Sequence, residues 1–390
     1  MGKKVIKKII FIVERSFDFR DYQRYGIDLL RSNGFDVEVW DLTPALHPHM
    51  PQTSTDSEMF NHDKAVIFKN KEDAFGRISN LSKTDFVVNC VGYRFYSLGV
   101  YRALFKSGSR YAFEVMNSIP VPVVKKNMLN ITLRRMLSYR RITPWQNLFM
   151  ELPFKFLGVK PADLLFVGGE KYHAYRYPVS KSTEILWGHA LDYDLFLSAK
   201  DKTCSEKPIA VFLDQFLPFH SDYIREKQRP PMTPYKYYGI LNDFFDRLET
   251  KTGLEVVIAA HPRSHYEDMP DYFHGRNCVK GKTIELVRGS QLVINHCTTA
   301  VNFANLFYKP LIFITCKALS NTYEDIWTRV FAEWHGKKPV FMEDKNIDFK
   351  KELKVSKAHY ANYRKAYIKT EGSEDLPFWQ IVSNRLKKGI

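Results

Sequence analysis

Three short polar clusters each follow a run of apolar, β-branched residues. Asp214-Gln215 follows Ile209–Leu213, His261-Pro262-Arg263 follows 256–260, and His296-Cys297-Thr298-Thr299 follows Leu292–Asn295. In open α/β sheets, ligands bind beyond the carboxyl ends of the strands. The three clusters are therefore expected on one edge of one sheet, and their agreement in position is a stronger signal than any one of them. Their chemistry suits a phosphorylated ligand. Thr298 and Thr299 are placed to open a helix, whose first N–H groups carry a partial positive charge. With Asn295 and His296 beside them, the two hydroxyls would hold a phosphate without a glycine-rich loop. The other use of such a threonine is an ordinary helix cap.

Pro262 stops its strand and fixes the direction of the His261 imidazole. A histidine beside a departing phosphate can neutralise or protonate it, a contribution of about 10²–10⁴-fold. Arg263 adds a cation for the same group. Asp214, just outside a buried strand, is expected to be partly desolvated and raised in pKa, which suits a general base or a carboxylate nucleophile. A turn aspartate is the plainer alternative. His220 and Asp222 supply a second histidine and acid nearby, and Glu14 is the corresponding acid after the first apolar run of the chain.

Other matches carry less. Asp192-Tyr193-Asp194 fits a D-x-D pattern that arises often by chance, and His47-Pro48-His49 sits in a loop with no partner cysteine. Gly168-Gly169 lacks the spacing of a dinucleotide fingerprint, and neither a Walker motif nor G-x-S-x-G occurs. Five cysteines, widely spaced and without a C-x-x-C pair, argue against a zinc site or a disulfide framework. No metal is expected.

The elements that would position these residues alternate strand and helix. Residues 9–13 read as a buried strand, 22–32 as a helix stopped at Asn33-Gly34, and 37–40 as a second strand, one βαβ unit. Further strands are expected at 65–68, 86–90, 112–115 and Leu164–Val167. After a polar stretch at 198–207 a second series begins. It has strands at Ile209–Leu213, 256–260, Leu292–Asn295 and Leu311–Thr315, with helices at 234–250, Thr283–Gly289 and 299–307. The expected architecture is α/β, with two Rossmann-like domains facing a cleft. The domains would be 1–195 and 200–375, followed by an amphipathic C-terminal helix over 376–390.

Composition bounds the function. The chain has 390 residues, 45% apolar and 26% charged, which excludes a disordered chain and is long enough for two or three domains. No apolar run reaches the roughly 18 residues of a membrane span. The basic then apolar start is interrupted at once by Glu14-Arg15, so it reads as a strand and not a signal peptide. A reducing, cytoplasmic setting is expected. The net charge is +15, and residues 101–150 hold nine Lys/Arg against one acid, Glu114. Lys125, Lys126, Arg134, Arg135, Arg140 and Arg141, interleaved with Met128, Leu129, Leu133, Met136 and Leu137, read as a basic amphipathic patch. Over 125–141 it would dock to anionic lipid or an acidic lipid-linked glycan at the inner face of the membrane. A nucleic-acid binder is the rival from another class, but no nucleic-acid motif is present and the strand-end clusters would then be idle.

A His-Pro pair at one strand end, followed about 36 residues later by Thr298-Thr299, resembles bacterial sialyltransferases and capsule-polymerising transferases. Phe19-Arg20-Asp21-Tyr22, Arg24-Tyr25-Gly26-Ile27, His189-Ala190-Leu191-Asp192-Tyr193-Asp194 and Phe212-Leu213-Asp214-Gln215 are similar to surface-carbohydrate transferases for Kdo, pseudaminic or legionaminic acid. The resemblance implies a GT-B glycosyltransferase moving a nonulosonic acid from a CMP-sugar to a glycan hydroxyl in capsule or lipopolysaccharide synthesis. It implies that His261, Pro262, Thr298 and Thr299 hold the nucleotide and its phosphate. The sialyltransferase acid-acid-Gly motif has no clean copy here, which leaves base or nucleophile open for Asp214. A UDP- or GDP-sugar donor on the same fold is the alternative.

Overall fold

The computed structural model describes residues 6–15, 17–49, 65–122, 149–150, 152–172, 177–204, 206–220, 222–223 and 228–389. The basic stretch 125–141 lies outside them. Contacts divide the chain into two compact units. The second holds Asp192–Lys369, and the first takes most of the chain to Leu191 together with Thr370–Ile390.

In the first unit, Lys8–Val13 (β1) is the central strand. Residues 9–13 are buried on both faces, as the uninterrupted apolar run requires of a strand in mid parallel sheet. The further strands are Asp36–Asp41 (β2), Ala65–Ile67 (β3), Asp85–Asn89 (β4), Arg110–Val115 (β5), Leu164–Val167 (β6) and Glu184–Trp187 (β7). Among the described residues they form one seven-stranded sheet in the order β3-β2-β1-β4-β5-β6-β7. All pairs are parallel, with Ile9 opposite Val37 on one side and Phe86 on the other. One face packs Ile10, Ile12, Val87 and Phe113 against the helices Lys71–Ser79 and Leu98–Ser107. The opposite face packs Ile9, Phe11, Val37 and Val88 against Ile27 and Leu30, and against Phe378, Trp379 and Val382 of the helix Phe378–Lys387.

The second unit repeats the plan. Its strands are Ile209–Leu213 (β8), Glu255–Ala260 (β9), Cys278–Lys280 (β10), Leu292–Asn295 (β11), Leu311–Thr315 (β12) and Val340–Phe341 (β13), in the order β10-β9-β8-β11-β12-β13. The helix Pro234–Thr252 starts on proline and stops at Gly253, whose φ of 71° suits a residue without Cβ. It buries Tyr237, Leu241, Phe244 and Leu248, spaced one turn apart, against that sheet. In each sheet the strand order reverses beside the first strand, between β1 and β4 and between β8 and β11. Such a switch point opens a crevice at the carboxyl edge. The α/β class with two Rossmann-like units is therefore present.

Three expectations change in detail. The single helix over 22–32 is two, Phe19–Arg24 and Ile27–Ser32, broken at Gly26 with φ 55°. The cause lies far away in sequence: a Cβ on Gly26 would come within 2.8 Å of Trp379, whose indole fills that notch and donates to the Arg24 carbonyl at 2.7 Å. The boundary expected between 195 and 200 falls at 191/192, inside the helix Leu191–Ala199. The segment 376–390, expected as a separate terminal helix, belongs to the first unit, together with residues from Thr370 onward. No helix among the described residues is long and apolar enough to cross a membrane.

Trp379 is 2% exposed and stacks edge-on against Phe11 at 5.1 Å. Trp379→Ala is expected to destabilise the first unit by about 3–5 kcal/mol. Urea unfolding followed by circular dichroism measures it.

Candidate functional site

At the carboxyl edge of the second sheet, Asp214 leaves β8 and turns inward. It is 4% exposed. Its Oδ1 accepts the Phe216 N–H at 2.8 Å, and its Oδ2 accepts the His261 N–H at 3.1 Å and the Tyr266 hydroxyl at 3.0 Å. Burial pushes the carboxyl up to about 6, although all these donors pull it down. The side chain thus ties the loop after β8 to the loop after β9. With Oδ1 and Oδ2 so engaged inside the protein, Asp214 orients its neighbours. Its burial favours this positioning part over the base or nucleophile roles raised from the sequence.

His261 is what Asp214 positions. Its Nδ1 accepts the Arg263 N–H at 3.2 Å, so in the neutral ring the proton sits on Nε2. The ring is partly exposed, with Pro262 partly exposed and Arg263 exposed beside it. The His220 ring stands edge-on to it at 5.3 Å, and His220 in turn accepts from the Asp222 N–H through Nδ1 at 3.2 Å. The two clusters separated by about 40 residues in sequence meet at this edge.

Beyond β11 the expectations divide. Thr298 and Thr299 lie in a turn before a helix of only six residues, Val301–Leu306, shorter than the expected 299–307. Thr298 Oγ1 accepts the Ala300 N–H at 3.3 Å, which is a cap's use of the hydroxyl. A single short helix supplies little of the dipole invoked for phosphate, so these residues offer hydroxyls and not a helix-end anion site. His296 is a correction. It is fully buried, donates from Nδ1 to the Ile314 carbonyl at 2.7 Å and accepts from Tyr237 at 3.0 Å, and burial lowers it to about 4. It is a core residue that cannot reach a ligand, because both ring nitrogens are tied to buried partners inside the sheet's packing. Asn295 is also buried: its Oδ1 accepts the Thr298 N–H at 3.2 Å, while its Nδ2 has no partner.

Gln215 and Cys297, unassigned by sequence reasoning, bridge the switch point itself. Gln215 Oε1 accepts the Cys297 N–H at 3.2 Å, linking the ends of β8 and β11. Burial pushes the Cys297 thiol up to about 12, so it is not a ready nucleophile.

The first sheet has a counterpart at the same topological place. Glu14, after β1, accepts the Gly92 N–H after β4 at 3.0 Å through Oε1. Its Oε2 accepts from Tyr96 at 2.8 Å and from His47 Nε2 at 3.2 Å. The Glu14 side chain is 22% exposed, against a buried Asp214. His47, set aside above for want of a cysteine partner, is thus a carboxylate's companion, and Tyr96 gave no signal in sequence. Among the described residues no group of side chains is arranged to hold a metal ion.

No family model matches the chain, and no curated protein matches it in sequence. Solved structures of similar chain path include Acinetobacter baumannii MurG, at 10% identity over 98% of this chain and 99% of that one with a TM-score of 0.48. A Methanocaldococcus jannaschii UDP-GlcNAc 2-epimerase in complex with UDP-GlcNAc and UDP shares 12% identity over 98% and 99% of the two chains, at 0.45. A UGT transferase from Siraitia grosvenorii in complex with UDP shares 10% over 97% and 99%, at 0.42.

The raised pKa of Asp214 has a signed consequence. Its proton is held more tightly in the folded protein than in the unfolded chain, so its stabilising contribution is complete below about 4 and lost as pH rises through about 6. The stability advantage of the wild type over Asp214→Asn should therefore shrink between pH 4 and 6 and level off above that (about two pH units, following the raised pKa). Urea titrations of both proteins at a series of pH values check this.

Proposed function

We propose that the chain is a GT-B glycosyltransferase that takes a nucleotide-sugar donor on its second unit and a glycan hydroxyl on its first. The observation that carries this reading is the matched pair of switch points. At one, a neutral Gln215 bridge lies beside the outward imidazole of His261 and the Arg263 cation. At the other, the partly exposed carboxylate of Glu14 makes the same bridge. The first combination suits an anionic leaving group, and the second suits proton removal.

In this mechanism His261 Nε2–H and Arg263 meet the phosphate, with Thr298 and Thr299 hydroxyls available to it. Charge that develops as the sugar departs is offset by groups already oriented, which is where electrostatic catalysis gains most. Asp214 fixes the His261 backbone through the 3.1 Å bond and contributes by positioning. Glu14 removes the acceptor proton, with Tyr96, His47 and the Gly92 N–H setting its geometry. Its second Oε1 lone pair is left for the incoming hydroxyl. A single base without a protein nucleophile gives inversion at the anomeric carbon. The reaction calls for no metal in this scheme.

The donor is a CMP-activated nonulosonic acid on the motif resemblance of His261-Pro262 and Thr298-Thr299, and a UDP- or GDP-sugar is the other reading. Docking to anionic lipid at the inner face of the membrane through 125–141 belongs to the same proposal. So does a lipid-linked or surface-polysaccharide acceptor.

A panel of CMP-, UDP- and GDP-sugars, read by nucleotide release with chelator present, tests donor class and metal independence together. His261→Ala and Glu14→Gln are each expected to lower turnover by about 10²–10⁴-fold. Glu14→Gln should leave nucleotide affinity unchanged, whereas His261→Ala weakens it. Wild-type turnover in both variants would sink the assignment. Vesicle sedimentation supplies a further check: binding should rise with anionic lipid content and fall when the six basic residues of 125–141 are replaced by glutamine.

A further inference from the structure

The first unit carries a second recess, away from its switch point. It has a volume of about 640 Å³, within the range of small-ligand sites. Its walls come from the ends of the two outer strands and from the returning chain: Glu170 after β6, Trp187 closing β7, the turn with Glu371 and Glu374, and Ile381 of the last helix. The turn is fixed in place. Thr370 donates through its N–H to the carbonyls of Gly168 and Gly188 at 2.9 and 3.1 Å, and Ser373 donates to the Gly188 carbonyl at 2.9 Å. Gly168 itself sits against neighbouring backbone, since a Cβ there would lie 2.2 Å from the Met116 carbonyl.

Two properties of the recess select a ligand. Trp187 is 40% exposed, and Tyr172 stands edge-on to it at 5.8 Å, which holds the indole upright as a platform. A large aromatic surface left open within a cavity gains from an apolar face laid against it. The charged residues among those lining it are Glu170, Glu371 and Glu374, in a chain whose net charge is +15. Carboxylates accept hydrogen bonds from hydroxyl or amino groups and repel phosphates and acid sugars. A pyranose ring meets both demands: its C–H face packs on the indole and its rim of hydroxyls donates to the glutamates.

We propose that this recess binds an uncharged or amino-bearing sugar unit of a glycan, as a subsite that grips the acceptor chain at a distance from the reacting hydroxyl. The acceptor assignment rests on the glycosyltransferase reading, whereas the sugar-binding assignment does not. The recess is distinct in charge from any site for a nucleotide or a nonulosonic acid.

Calorimetry and saturation-transfer NMR with a set of uncharged and amino-bearing oligosaccharides, and with acidic counterparts, test it in the absence of donor. The full chain should bind uncharged or amino-bearing members and discriminate against acidic ones. Trp187→Ala should weaken binding about tenfold, the worth of one stacked ring, and Trp187→Phe should largely restore it. Glu374→Ala, which removes one acceptor and leaves the platform, serves if Trp187→Ala fails to fold and should also weaken binding. Absence of binding by both uncharged and amino-bearing oligosaccharides, stronger binding of acidic ones, or affinity indifferent to Trp187 and Glu374 would each overturn the proposal. Failure of nucleotide release with oligosaccharide binding intact would remove the transferase reading alone.

Discussion

The carboxylate of Asp214 holds three chain segments in register at the edge of the second sheet: its own turn through Phe216, the His-Pro turn through His261, and the following helical turn through Tyr266. The Phe216 N–H is buried and would cost about 1–3 kcal/mol to leave unpaired, and the other two are partly buried. The carboxylate answers them at the expense of its own desolvation, which is why its proton affinity rises. The direction of the His261 imidazole follows from this arrangement. The second edge therefore keeps its acid inside as scaffold and turns its basic groups outward, while Glu14 on the first edge stays within reach of solvent. Two sheets of the same topology acquire opposite chemical character from one difference in burial.

Much of the scaffold was legible in the sequence because parallel strands buried on both faces leave an unmistakable trace. Ile209–Leu213, Leu292–Asn295 and Leu311–Thr315 have the bounds read from their apolar runs. Short or exposed strands leave no such trace. β7 alternates poorly, with Glu184 and Trp187 both outward, and β10 and β13 are only a few residues long. The break at Gly26 was hidden for another reason. Local sequence there supports a continuous helix, and the indole that forbids it is more than 350 residues away. Tertiary packing overrode propensity.

The candidate site was legible as positions and less so as roles. Strand order placed Asp214, His261 and Glu14 at carboxyl edges, as expected of residues that follow central strands. Past the strand end the two-residue alternation no longer applies, and exposure changes between buried His296 and partly exposed Cys297 and Thr298. Partners contributed by distant loops, such as Tyr96 and His47 on Glu14, have no fixed spacing to read.

The helix Phe378–Lys387 has a bearing on how the protein comes into being. A chain is made from its N-terminus, so β1, β2 and β4 leave the ribosome well before the residues that cover one of their faces. All of Asp192–Lys369 must be synthesised in between. During that interval Phe11, Val37 and Val88 lack their partners Phe378 and Trp379 and expose an adhesive surface. The second unit, contiguous in sequence over its sheet, can close while still tethered to the ribosome. The half of the molecule born first is thus the last to be completed.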